Sequence, residues 1–168
     1  SREPFDRVTL RSIAEASGCT VQTVIRRFGS KEELFAALVE RERPRIVSSR
    51  NVPEDAGLDT AIAALVHHYE TDGDMVLNFV AQEQLFGQVR RVVELGRQVH
   101  QEWMERHCGG VLEGRQGAER QRALYAAIAA TDLGTWKLLR RDLGLHEPEV
   151  VAVMLELLNG LTPSPTGV

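Results

Sequence analysis

Thr9-Leu10-Arg11-Ser12-Ile13-Ala14-Glu15-Ala16-Ser17-Gly18-Cys19-Thr20, followed by Val21-Gln22-Thr23-Val24-Ile25-Arg26-Arg27-Phe28-Gly29-Ser30-Lys31-Glu32-Glu33-Leu34-Phe35, is the stretch that decides the fold. Thr9 is a natural N-cap, and Ile13, Ala14 and Ser17 fall on one side of the helix it opens. Gly18 stands where a helix C-terminus wants a left-handed residue. Thr20 caps a second helix that runs from Val21 to about Phe28 and ends at Gly29. Ser30 and Glu33 have the S-x-x-E spacing of a capping box and open a third helix reaching Pro44 or slightly beyond. The pattern is a helix-turn-helix. Ala14 is small enough for a close crossing, and Cys19, Val24 and Phe28 are expected to form the inner face. The outer face carries Gln22, Thr23, Arg26 and Arg27. Gln pairs bidentately with adenine and Arg with guanine, while Thr23 and Lys31 suit phosphates.

Outward from this head, residues 48–57 read as a linker rich in Ser, Asn, Pro and Gly, which places a domain boundary there. The predicted domains are therefore a helix-turn-helix domain at 1–47 and a helical domain at 48–168. The second begins with an amphipathic helix at Leu58–Thr71. Asp72-Gly73-Asp74 reads as a turn, with Asp74 capping Met75–Gln84. A long helix follows at Val89–Cys108 and is stopped by Gly109-Gly110. Ala118–Leu143 reads as the longest periodic stretch, and Pro148 opens a final helix at about Glu147–Leu161. Thr162-Pro163-Ser164-Pro165 reads as a frayed tail. No strand is predicted, so the fold class is all-α.

The chain is 168 residues long, with 43% hydrophobic, 26% charged and 5% aromatic residues, the balance of a globular protein. Its net charge of −4 is unevenly placed: residues 1–43 hold eight basic and seven acidic side chains, the remainder twelve and seventeen. A near-neutral head on an acidic body excludes a protein that coats nucleic acid by charge alone. No apolar run approaches the ~20 residues that span a bilayer, and the first residues do not resemble a signal peptide. Cys19 and Cys108 form no C-x-x-C pair, so a zinc ribbon is not expected. A cytoplasmic location is expected.

The five histidines do not make a metal site. His67 and His68 are adjacent and point to different faces. His100, His107 and Cys108 span about two helical turns, ~10 Å, too far for one zinc ion. No G-x-S-x-G, P-loop or nucleophile–base arrangement is present. No catalytic residue, metal or cofactor is predicted, and the chain is not expected to be an enzyme.

Residues 8–20 and 28–34 closely resemble the TetR (TetR/AcrR) family of bacterial repressors, whose pattern is roughly v-T-v-x-x-I-A-x-x-A-G-v-s-x-x-t-l-Y-x-h-F-x-s-K-e-x-L. The resemblance implies an all-helical homodimer, each subunit with an N-terminal DNA-binding domain and a C-terminal ligand-binding and dimerisation domain. It implies a DNA-binding set of Thr9, Thr20, Gln22, Thr23, Arg26, Arg27 and Lys31, with Thr9 and Lys31 on phosphates. Ile25 stands where the family usually has a phosphate-binding tyrosine, and Ser17 replaces its usual alanine. The family also places a helix before Thr9. Eight residues precede Thr9 here, so that helix is expected to be missing from this stretch of chain.

In the body, a pocket is expected among residues 58–143, lined by Tyr69, Met75, Phe79, Phe86, Trp103, Met104 and Trp136, and its effector is expected to be small and apolar. The last two long helices resemble those that form the family's four-helix dimer bundle. Ala126, Ala130, Val150, Val153, Met154, Leu157 and Leu158 are the expected interface. The expected function is a ligand-responsive repressor on a palindromic operator, nucleoid-associated when bound. The alternative is a helical small-molecule-binding or dimerisation module that has lost DNA binding.

Overall fold

The computed structural model describes residues 5–48, 50–53 and 55–162. The predicted tail from Pro163 onward lies outside the described residues, as do Ser49 and Glu54 of the predicted linker. Helices follow in the order α1 Leu10–Ala16, α2 Val21–Phe28, α3 Lys31–Ser48, α4 Leu58–Gln82, α5 Gly87–His107, α6 Gly109–Leu112, α7 Gly117–Thr131 and α8 Leu133–Lys137. A π-helical turn at Leu138–Asp142 continues α8, and α9 spans Glu147–Asn159. The described residues contain no strand.

Caps set the first helix boundaries. Thr9 Oγ1 accepts from the Ser12 amide, and Ser12 Oγ accepts from the Thr9 amide, both at 3.0 Å. These bonds satisfy amides that a helix start leaves without partners. Gly18 has φ +62°, a conformation that carries a penalty for any residue with a Cβ. It turns the chain so that the Cys19 amide reaches Ala14 O at 3.0 Å. Thr20 Oγ1 then accepts from Thr23 N at 3.1 Å, and Ser30 Oγ from Glu33 N at 3.1 Å.

Packing gathers the chain into two compact units that do not follow chain order. Among the described residues, the first joins 5–48 to 74–95, and the second joins 50–53 and 55–73 to 96–162. Helices α4 and α5 contribute to both.

The first unit is built on an aromatic cluster. Phe5 and Phe35 are buried with Val89 and Val93, and Phe79, Phe86, Val80, Val39 and Val92 pack against them. Phe5 lies 4.9 Å from Phe35 and 5.0 Å from Phe86 between ring centroids, and Phe35 lies 5.3 Å from Phe79. The tilted and edge-on geometries place positive ring edges against negative faces. Gln82 Oε1 accepts from the Asp6 amide at 3.1 Å and so fixes the N-terminal segment against the end of α4.

The second unit has Ile62, Leu65, Val66, Met104, Val111, Leu124, Trp136, Val150, Met154 and Leu158 essentially without exposure. Tyr69 donates its hydroxyl to Thr131 O at 3.1 Å, and Trp103 its indole N–H to Arg50 O at 3.1 Å. Trp136 donates to Glu70 Oε1 at 2.8 Å, and Arg140 Nε reaches both Glu70 oxygens at 3.0 Å. One carboxylate thus ties α4 to α8 and to the π turn.

The structure departs from the sequence-based expectations at three places. Asp72-Gly73-Asp74 is not a turn, because α4 continues through it to Gln82. A Cβ on Gly73 would sit 2.7 Å from two ring atoms of Trp136. Gly73 is a packing glycine that lets the indole lie on the helix. The stretch 118–143 is not one helix, since Asp132 adopts an extended conformation and caps α8 through Gly134 N at 2.7 Å. Cys19 is exposed; the backbone bond that closes the turn, rather than its apolar character, sets its direction.

Candidate nucleic-acid interface

The outer face of α2 is built by contrast with its inner one. Val24 is 5% exposed and Ala14 is 2% exposed, so these two side chains seat α2 on α1. The 3.6-residue period then turns Gln22, Thr23, Arg26 and Arg27 outward, and all four are exposed. Arg27 lies 5.6 Å from the Phe28 ring centroid. Ile25 is 40% exposed on the same outer side. The helix therefore presents hydrogen-bonding and cationic groups together with one bare aliphatic group.

The remaining members of the predicted DNA set have local roles. The Thr9 and Thr20 hydroxyls cap α1 and α2. Thr20 Oγ1 also lies 2.9 Å from Thr23 Oγ1, which draws Thr23 toward the start of α2. Lys31 is half-buried: its Nζ donates to Phe5 O at 2.5 Å and lies 4.2 Å from the Phe5 ring centroid.

The predicted pocket residues separate into two groups. Met75, Phe79 and Phe86 belong to the first unit, where Phe79 and Phe86 are part of the aromatic cluster. Tyr69, Trp103, Met104 and Trp136 are buried in the second unit. Among these, Tyr69 and Trp136 meet at 5.9 Å between ring centroids.

The predicted partner surface also separates. Ala130, Val150, Met154 and Leu158 are buried within the second unit. Ala126 and Val153 are half-buried. Leu157 on α9 is 46% exposed and Tyr125 on α7 is 59% exposed; α7 and α9 pack on each other.

The second unit holds polar groups that sequence reasoning did not single out. Arg50 is 7% exposed and His100 is 6% exposed. Arg50 was read as part of a linker, and nothing in its local sequence marks it as buried. His100 had a signal: it precedes Trp103 and Met104 by one helical turn, on the apolar side of α5. Burial lowers the pKa of His100 to about 4, and the charge of Arg50 adds to that effect. Burial also lowers the pKa of Arg50, against the pull of Tyr69 and Asp72. Burial raises the Cys108 thiol to about 12, so it is protonated and unreactive. His68 Nδ1 lies 3.6 Å from Asp72 within the unit, and His67 Nδ1 lies 3.4 Å from Glu147 at its surface. Among the described residues, no three His, Cys, Asp or Glu side chains gather as a metal site would require. No described helix is long and apolar enough to cross a membrane.

Residues 1–38 match the family model described as bacterial regulatory proteins, tetR family. Neither the curated proteins nor the solved structures give a significant match.

Proposed function

We propose that the chain, whose residues 1–38 match the tetR-family model, is a DNA-binding transcription regulator that acts as a homodimeric, ligand-responsive repressor. Residues 1–47 read DNA, and residues 48–168 take the effector and form the dimer. The observation that carries this reading is the outer face of α2, where Gln22, Thr23, Arg26 and Arg27 are all exposed above a buried Val24. Each α2 enters a major groove, and the two half-sites of a palindrome lie about one helical turn (~34 Å) or somewhat more apart. Thr9, Thr20 and Lys31 fix the register on phosphates.

Pairing through the outer side of α7 and α9 is supported by Leu157, Tyr125, Val153 and Ala126. The buried Val150, Met154, Leu158 and Ala130 shape that surface from within. Effector binding in the body favours a dimer whose α2 spacing no longer matches the operator. The protein acts in the cytoplasm, on the nucleoid when bound to DNA, and catalyses no reaction. A gel-shift with the DNA flanking the gene tests this: a palindromic fragment is retarded and a scrambled one is not. Absence of a sequence-specific, salt-sensitive complex defeats it.

The exposed Ile25 favours a second reading, a small-molecule-binding or dimerisation module without DNA function. Ile25→Tyr separates the two. A hydrogen bond to a charged phosphate is worth about 1.5–3 kcal/mol, so a repressor gains tenfold or more in affinity. A module that has lost DNA binding gains nothing.

A further inference from the structure

We propose that Ile25 reads the C5-methyl group of a thymine in the major groove and so sets one base pair of the operator. This deepens the DNA-binding reading above and rests on it.

The helix that carries Ile25 places it for such a contact. The outer face of α2 has two rows. Thr23 and Arg27, one turn apart, are engaged within the chain: Thr23 Oγ1 lies 2.9 Å from Thr20 Oγ1, and the Arg27 guanidinium lies 5.6 Å from the Phe28 ring centroid. Gln22, Ile25 and Arg26 form the other row at i, i+3 and i+4, the spacing that makes side chains neighbours on a helix surface. Gln22 and Arg26 are exposed, and Ile25 beside them is 40% exposed. A helical side chain leans toward the turn before it, here toward Gln22. Four positions beyond Ile25 stands Gly29, which ends α2 and has no side chain to cover it.

The chemistry of the groove selects the partner. No residue of α2 is acidic, so its outer face suits a polyanion. Guanine, cytosine and adenine present hydrogen-bonding edges in the major groove, and the thymine C5-methyl is the apolar group displayed there. An aliphatic side chain set against a donor or acceptor strips its water and returns no bond. Set against the methyl, it removes apolar surface from water on both sides. The branched Cβ of Ile leaves one strongly preferred rotamer in a helix, so little freedom is lost on contact. Geometry also limits where the thymine lies. Cβ atoms at i and i+3 are about 5–6 Å apart, and base pairs stack about 3.4 Å apart. The thymine is therefore about one or two base pairs from the base that Gln22 reads.

The test removes one methyl group from the DNA and one side chain from the protein. Each thymine of the palindromic fragment flanking the gene is replaced in turn by deoxyuracil, at the same position in both half-sites. Deoxyuracil keeps the base pairing and lacks only the methyl. Binding of the full chain is measured by fluorescence anisotropy. At one position the Kd is expected to rise about fourfold for each half-site, the worth of one buried carbon. Ile25→Ala binds the unmodified fragment more weakly and loses that sensitivity. Ile25→Gln is the second probe should Ile25→Ala lose its helical circular dichroism. A scan with no sensitive position overturns the proposal. So does equal sensitivity in folded Ile25→Ala, because Ile25 is then only a packing residue at the edge of α2. In both of these cases a specific complex still forms, and the DNA-binding reading stands. If no fragment gives a specific complex, the DNA-binding reading fails and this contact fails with it.

Discussion

Lys31 donates its ammonium to the carbonyl of Phe5 at 2.5 Å while resting 4.2 Å from the centroid of the Phe5 ring. Its Nζ also lies 5.8 Å from the Phe86 ring centroid, so the start of α3 is tied to two rings of the first unit's aromatic cluster. A charge-assisted bond and a cation–π contact act on one side chain. The phosphate contact proposed for Lys31 would use the same ammonium group.

Lys31→Met separates these two roles. The lost bond lowers unfolding free energy by about 1–3 kcal/mol, read by urea denaturation. If Lys31 also meets a phosphate, the slope of log K against log salt falls by about one. An unchanged slope with lowered stability assigns Lys31 to the fold alone.

Gly73→Ala tests the seat of Trp136. The added methyl would meet the indole at 2.7 Å, and overpacking of this kind costs about 1–3 kcal/mol. The helix propensity of Ala returns up to about 1 kcal/mol, so a net loss is expected. Thermal unfolding gives the sign; a stabilised variant would mean that the indole moves aside freely.

What was legible in the sequence had local causes. Thr9, Thr20 and Ser30 cap helices through their own hydroxyls, and Gly18 bends the chain through its own φ, so the helix boundaries within residues 9–35 were legible, although the inner-face placement of Cys19 was not. Where a distant partner decides, the reading failed. Gly73 between two aspartates has the composition of a turn, and only Trp136, 63 positions later in the chain, explains why it is helical. Asp132 broke the stretch 118–143 by capping α8, while the small residues before it carried an uninterrupted helical pattern. Arg50 sat in turn-forming company, and the group that holds its carbonyl, the Trp103 indole, lies 53 positions away. In the interface, the outward set on α2 followed from period alone. The engagement of Lys31 by Phe5 could not be foreseen, because it joins residues 26 apart.

Acid sensitivity follows from His100. Its pKa is about 4 in the folded chain against an ordinary 6.5, so the unfolded state binds more protons between those values. The contribution is fully present above pH 6.5 and is lost as pH falls toward 4, amounting to about 3 kcal/mol in all. His100→Gln should therefore flatten the stability profile between pH 6.5 and 4 relative to the parent chain. Parallel profiles from denaturant titrations at several pH values would show that His100 titrates normally.

The exposed face of α2 is the surface proposed to read DNA. Fluorescence anisotropy with the palindromic fragment flanking the gene, run across a salt series, measures it most directly. The expected result is a log K that falls linearly with log salt, and an Arg26→Ala variant that stays folded yet loses about 1–3 kcal/mol of sequence discrimination. Equal affinity for palindromic and scrambled DNA, or an Arg26→Ala variant that binds as the parent does, would contradict it.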